Sequence, residues 1–160
     1  MSTSQRISLR FHPIVFFLVT ITLLTTSAAG VASAKEIAIC GASDGMGYYP
    51  AEGKWTDDKI SGGKFTLTQT SENDFDLLFV DARGNVFSAK QAGGAVILTG
   101  AMNNAISIVV IHQSTTVTET YTFFRNADGN AQALWTVNKG GGAPIMKVAA
   151  YRADCSFFAY

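Results

Sequence analysis

Residues able to do acid–base, nucleophilic or metal chemistry are sparse in this 160-residue chain, which holds two histidines, His12 and His112, and two cysteines, Cys40 and Cys155. His112 ends the most apolar stretch, Ile106-Ser107-Ile108-Val109-Val110-Ile111, and stands two residues before Ser114. A serine nucleophile needs a base, a third group to orient that base, and donors for the developing oxyanion. No such set is spaced around His112. One histidine and two cysteines expected to pair with each other cannot build a nitrogen/sulfur zinc site. Asp44, Glu52, Asp57 and Asp58 lie close in sequence but lack the Asp-x-Asp-x-Asp-Gly spacing of a calcium loop, and read as solvated acids. Asp74 and Asp76 share one face of a strand by period, as on any polar outer face. Gly140-Gly141-Gly142 has no Lys-Ser/Thr behind it, so it is a flexible turn and not a phosphate loop. The expectation is a protein that is not an enzyme and uses no metal or cofactor.

The most informative segment is 41–63, GASDGMGYYPAEGKWTDDKISGG, where glycines and Pro50 break regular patterns. It reads as a long irregular loop, a type of segment that is uncommon in compact domains and often functional. Met46, Tyr48, Tyr49 and Trp55 concentrate apolar area there. Tyr and Trp give rigid contact area with a polar handle, so Tyr48, Tyr49 and Trp55 are the candidate binding residues. The alternative is that these rings fold inward and plug one end of the domain.

The elements that position this segment read as strands. A short first strand covers Glu36 to Cys40. From Lys64 onward apolar and polar residues alternate, as in Phe65, Leu67 and Gln69 against Lys64, Thr66 and Thr68, and in Phe75, Leu77 and Phe79 against Asp74 and Asp76. Further strands are expected near Val86 to Lys90, Ala95 to Thr99, Ile106 to His112, Thr116 to Arg125, Ala131 to Asn138 and Ile145 to Asp154, with turn residues between them. Short connections favour antiparallel neighbours. The fold expected is therefore all-β: an antiparallel up-and-down meander of about eight or nine strands, closed as a barrel of lipocalin size or packed as a two-sheet sandwich. The run Ile106 to Ile111, apolar on both faces, is expected in the middle of the assembly with its outer side covered.

The ends place the chain in a compartment. Arg6 and Arg10 precede an apolar run, Ile14 to Leu24, and the small-residue site Ala32-Ser33-Ala34, the three parts of an export signal cut after Ala34. The run is too short and too interrupted by Thr20 and Thr22 to span a membrane. Residues 1–34 are thus a signal peptide and 35–160 a single β domain. Ile37-Ala38-Ile39-Cys40-Gly41 departs at Ile39 from a lipid-attachment motif, and a lipid on Cys40 would leave Cys155 unpaired. In an exported protein two cysteines read as one bridge, here Cys40–Cys155. Strands shorter than a lipid-spanning strand, with polar second faces, argue against an outer-membrane barrel. The whole chain has 12 Lys+Arg against 12 Asp+Glu, and loss of Arg6 and Arg10 leaves the mature domain slightly acidic. No cationic stripe remains for a nucleic acid.

Taken together, Cys40-Gly41-Ala42-Ser43, Gly47-Tyr48-Tyr49, Trp55 before Asp57-Asp58, Ile60-Ser61-Gly62-Gly63, Tyr121 in a Thr/Glu-rich strand, Trp135 and Cys155 resemble a group of small exported proteobacterial proteins of unknown function. The similarity spans nearly all of the mature domain, and residues 156–160 extend past the usual end. The resemblance implies a bacterial, periplasmic or secreted protein with paired cysteines, and it supplies no activity. The leading functional expectation is a non-enzymatic interaction module of the cell envelope, meeting an envelope protein or a small molecule through 41–63. The alternative is a carrier with an apolar ligand inside the barrel. An interior cavity of about 300 Å³ or more with a few convergent polar groups would favour the carrier.

Overall fold

The computed structural model describes residues 34–160 apart from Ala82, so the expected export signal lies outside the described residues except for Ala34. Ten strands follow in order: β1 (Lys35–Tyr49), β2 (Lys54–Ile60), β3 (Lys64–Ser71), β4 (Asp74–Val80), β5 (Val86–Ser88), β6 (Ala95–Met102), β7 (Ala105–His112), β8 (Val117–Arg125), β9 (Ala131–Lys139) and β10 (Lys147–Phe158). A 3-10 turn at Gln113–Thr115 joins β7 to β8. The strands form one antiparallel sheet with the order β5-β4-β3-β1-β10-β9-β8-β7-β6, and β2 pairs with β1 beside that path. The all-β antiparallel meander expected from alternation is what the chain adopts.

The sheet curls strongly into a half-barrel, and β4 approaches β6 to within 8 Å between Cα atoms without a ladder joining them. The first and last strands pair as a barrel requires, but hydrogen-bonded closure stops at β5 and β6, the two ends of the order. The short β5, only three residues long, offers little backbone for further pairing. The run Ile106 to Ile111 is β7, one strand in from an end of the order and not central. Ile106, Ile108 and Val110 are fully buried, while Ser107, Val109 and Ile111 stand beside Thr122, Thr120 and Thr118 of β8, half-covered by lateral neighbours.

Segment 41–63 differs most from its expected form: it is not a loop. β1 runs straight through it to Tyr49, and β2 returns from Lys54, making a hairpin whose turn uses Gly53 at φ +65°. Glycines occur in β1 because of what crosses it. Gly45 lies between Asp58 of β2 and Tyr151 of β10, and a Cβ there would come within 2.1 Å of the Ala150 carbonyl oxygen and 2.8 Å of the Tyr151 ring. Gly45→Ala is expected to cost about 2–3 kcal/mol by overpacking. Gly141→Ala, where a Cβ meets nothing within 4 Å, should change stability by less than about 0.5 kcal/mol in the same urea titration.

β1 also changes partner along its length. Lys35 to Cys40 pair with β3, and Ser43 to Tyr49 pair with β2, while β10 accompanies both halves. The register shifts between Cys40 and Ser43 mark the switch. There the Cys40–Cys155 disulfide joins directly opposed residues with Cα atoms 3.8 Å apart. Residues 156–158 complete β10, and Ala159 follows it: Phe158 is buried, the Ala159 amide donates to the Ile37 carbonyl at 2.8 Å, and Arg125 donates to the Phe158 carbonyl at 2.6 Å.

Candidate functional site

The inward face is built by period-2 alternation. β8 turns Val117, Glu119, Tyr121 and Phe123 inward, β9 turns Ala133, Trp135 and Val137, and β10 turns Ala149, Tyr151 and Ala153. Register then places Tyr151, Trp135 and Tyr121 side by side on three neighbouring strands. Their rings stack, with centroids 4.1 Å apart for Tyr151–Trp135 and 5.3 Å for Trp135–Tyr121. Near-parallel rings in a cross-strand row add to the area they bury. The Trp135 indole N–H donates to the buried Ser43 hydroxyl at 3.2 Å, and the fully buried Tyr121 donates to Glu119 at 2.9 Å. Burial first, then the Glu119 charge and hydrogen bond, push the Tyr121 hydroxyl well above its usual pKa, so it stays a neutral donor.

A cavity of about 340 Å³ opens against this stack, at the fork where β1 exchanges β3 for β2. Phe65, Phe79, Tyr121, Trp135 and Val137 form its apolar wall, and Gly41, Gly62 and Gly63 leave it room. Glu119, Lys139 and Lys147 reach it from the ends of β8, β9 and β10. Size, apolar lining and a few polar groups are the attributes of a ligand pocket.

Beside the cavity, one carboxylate oxygen of Asp58 accepts from the Tyr49 hydroxyl at 2.8 Å, the Lys147 ammonium at 2.5 Å and the Tyr151 hydroxyl at 2.5 Å. Lys147 also donates to the Tyr151 oxygen at 2.6 Å. Burial pushes the Asp58 carboxyl up, but the hydrogen bonds from Lys147, Tyr151 and Tyr49 and the Lys147 charge outweigh it, and the pKa falls below 3.8. The Tyr49 hydroxyl is pushed up, chiefly by its bond to Asp58; the Tyr151 hydroxyl is pushed up by burial first and Asp58 second. The cluster fastens the hairpin to β10.

The three aromatic candidates are thereby divided. Tyr49 turns inward to Asp58, whereas Tyr48 and Trp55 oppose each other across the hairpin on its outer face, with ring centroids 5.7 Å apart and Trp55 56% exposed. Of the loop acids, Asp44 pairs with Lys59 at 3.3 Å, Glu52 with Lys54 at 3.8 Å, and Asp58 belongs to the inner cluster. His112 packs against the backbone of Gly94, where a Cβ would lie 2.7 Å from its ring, and no hydrogen bond joins it to Ser114 among the described residues. Asp76 accepts from the Ser88 hydroxyl and the Leu77 and Lys90 amides, bracing the β4–β5 connection.

Alternation misses the cavity because Trp135, Tyr121 and Val137 look like ordinary core. One signal was available: Glu119, Lys139 and Lys147 are charged, yet in phase with the apolar face of their strands. Among the described residues no helix is long and apolar enough to cross a membrane. No protein-family model matches the chain, no curated protein matches it in sequence, and no solved structure matches it.

Proposed function

We propose that this domain is a non-enzymatic binding protein that holds a small, largely apolar molecule in the cavity against Trp135 and Tyr121, acting as an exported protein of the bacterial cell envelope. The observation that carries this reading is the 340 Å³ apolar cavity with charged side chains at one end. The disulfide agrees with an oxidising compartment. An apolar cavity of roughly 150 Å³ suffices for benzene, so this one suits a body of about two to three rings.

The two tryptophans provide the test, because Trp135 lines the cavity and Trp55 lies on the outer face. In a Trp55→Phe variant, N-phenyl-1-naphthylamine should gain fluorescence saturably while Trp135 emission is quenched with the same midpoint. Absence of both signals in the folded, disulfide-bonded protein would remove the cavity reading.

A second reading keeps the hairpin as a contact surface for an envelope protein. It is favoured by the outer row Trp55, Tyr48 and Val148, continuous across β2, β1 and β10, with Trp55 and Val148 exposed. Replacing Tyr48 and Trp55 by Ala should abolish capture of that protein from envelope extract without lowering N-phenyl-1-naphthylamine affinity. Unchanged capture would clear the hairpin of this role.

A further inference from the structure

We infer that the cavity selects a flat aromatic acid, with the ring system against Trp135 and Tyr121 and the carboxylate at Lys139. This rests on the cavity reading above and specifies its ligand class.

The inference follows from which charges at the cavity are already engaged. Asp81 accepts at one oxygen from the Arg83 and Asn85 amides and at the other from the Asn85 side chain, and these bonds hold its pKa below the usual range. Glu119 accepts the Tyr121 hydroxyl. Lys147 is bound to Asp58 and Tyr151. Lys139 and Lys64, also at the cavity, make no ion pair or side-chain hydrogen bond among the described residues. Asp81 and Glu119 keep their negative charge but have hydrogen-bond donors, so the charged groups here with no partner among the described residues, Lys139 and Lys64, are both cationic.

Of the two, Lys139 is the better placed. It continues the inward series Ala133, Trp135, Val137 and is half-buried, whereas Lys64 is out of phase with the buried Phe65 and is exposed. A lysine in phase with the apolar wall lays its methylenes along that wall and carries its ammonium at the wall's polar end. An anionic head there gains charge-assisted hydrogen bonds, while its rings meet the aromatic wall. Glu119 faces the same space. The Tyr121 hydroxyl holds one of its oxygens and leaves its charge in place, and among the described residues the Lys139 ammonium is the unpaired donor on this wall.

The test compares 2-naphthoate with naphthalene-2-carboxamide, nearly equal in shape and different in charge, as competitors of N-phenyl-1-naphthylamine. The acid is expected to displace the dye at about tenfold lower concentration than the amide, the scale of one charge-assisted hydrogen bond. Lys139→Gln should erase that difference, and Lys139→Glu should reverse it, the ratio of acid to amide being read within each variant. Equal competition by acid and amide, or a preference for the acid that survives Lys139→Gln, would overturn the inference and leave the cavity reading standing. Failure of the dye to bind would overturn both.

Discussion

Cys155→Ser, or reduction of the native protein, is expected to lower the unfolding temperature by about 10–20 °C for a domain of this size. The bridge closes a loop of sequence separation 115, and restriction of the unfolded chain contributes roughly 4–5 kcal/mol in the loop-entropy model. The loss should fall on unfolding of the whole sheet, because the bridge lies where β1 passes from β3 to β2 and joins the strand common to both to β10. Differential scanning calorimetry of oxidised and reduced protein measures it. A shift of only a degree or two would mean that the β1–β10 ladder holds the ends without help. Mass spectrometry of the native protein should find the two cysteines two protons lighter than reduced.

Asp58→Ala should cost about 3–5 kcal/mol, the scale for removing one member of a buried pair. Asp58 and Lys147 have side chains only 12% and 13% exposed, and the substitution strands an ammonium and two phenolic hydroxyls that now share one oxygen. Asp44→Ala, which breaks the exposed pair with Lys59, should cost less than about 1 kcal/mol. Hydrogen exchange localises the effect: amides of Lys54–Ile60 should lose protection first in Asp58→Ala. The carboxyl also sets a pH signature. Its folded pKa lies below 3.8, so its contribution is complete above the unfolded value and is lost as pH falls through the folded one. Wild-type stability should therefore drop below about pH 4 more steeply than that of Asp58→Asn. Parallel acid profiles for the two proteins would show that Asp58 has no special pairing.

Strands β3 to β10 were legible because alternation there is nearly uninterrupted, and turn residues punctuate it. Phe65, Leu67, Phe75 and Leu77 turn inward as their spacing requires. The hairpin of β1 and β2 was not legible, for a physical reason. Glycine signals both a break in regular structure and a close approach of a neighbouring strand; in Gly45 a backbone comes close, and in Gly47 the Asp58, Tyr49 and Ala149 side chains do. The disulfide was legible from cysteine count and compartment. The Asp58 cluster was not, since it gathers residues 49, 58, 147 and 151 from three strands whose register no local pattern encodes. The same holds for the division of Tyr48 from Tyr49, which depends on knowing that β1 is extended there.

Among the described residues β1 has the most ladder partners, and one of them, β10, is the last strand in sequence. This makes folding a matter of order. β1 has β2 and β3 near it in sequence, yet its β10 flank stays an open edge until residues some 115 positions away fold back. Pairings of such long sequence separation carry high contact order, and domains dominated by them fold in milliseconds to seconds. Until then the partly folded chain exposes an unpaired β1 edge of the kind that recruits chaperones or other chains. Loss of a few C-terminal residues, which would be trivial for a domain finished by a surface helix, here removes the Phe158 and Ala159 contacts that anchor Ile37 and Arg125.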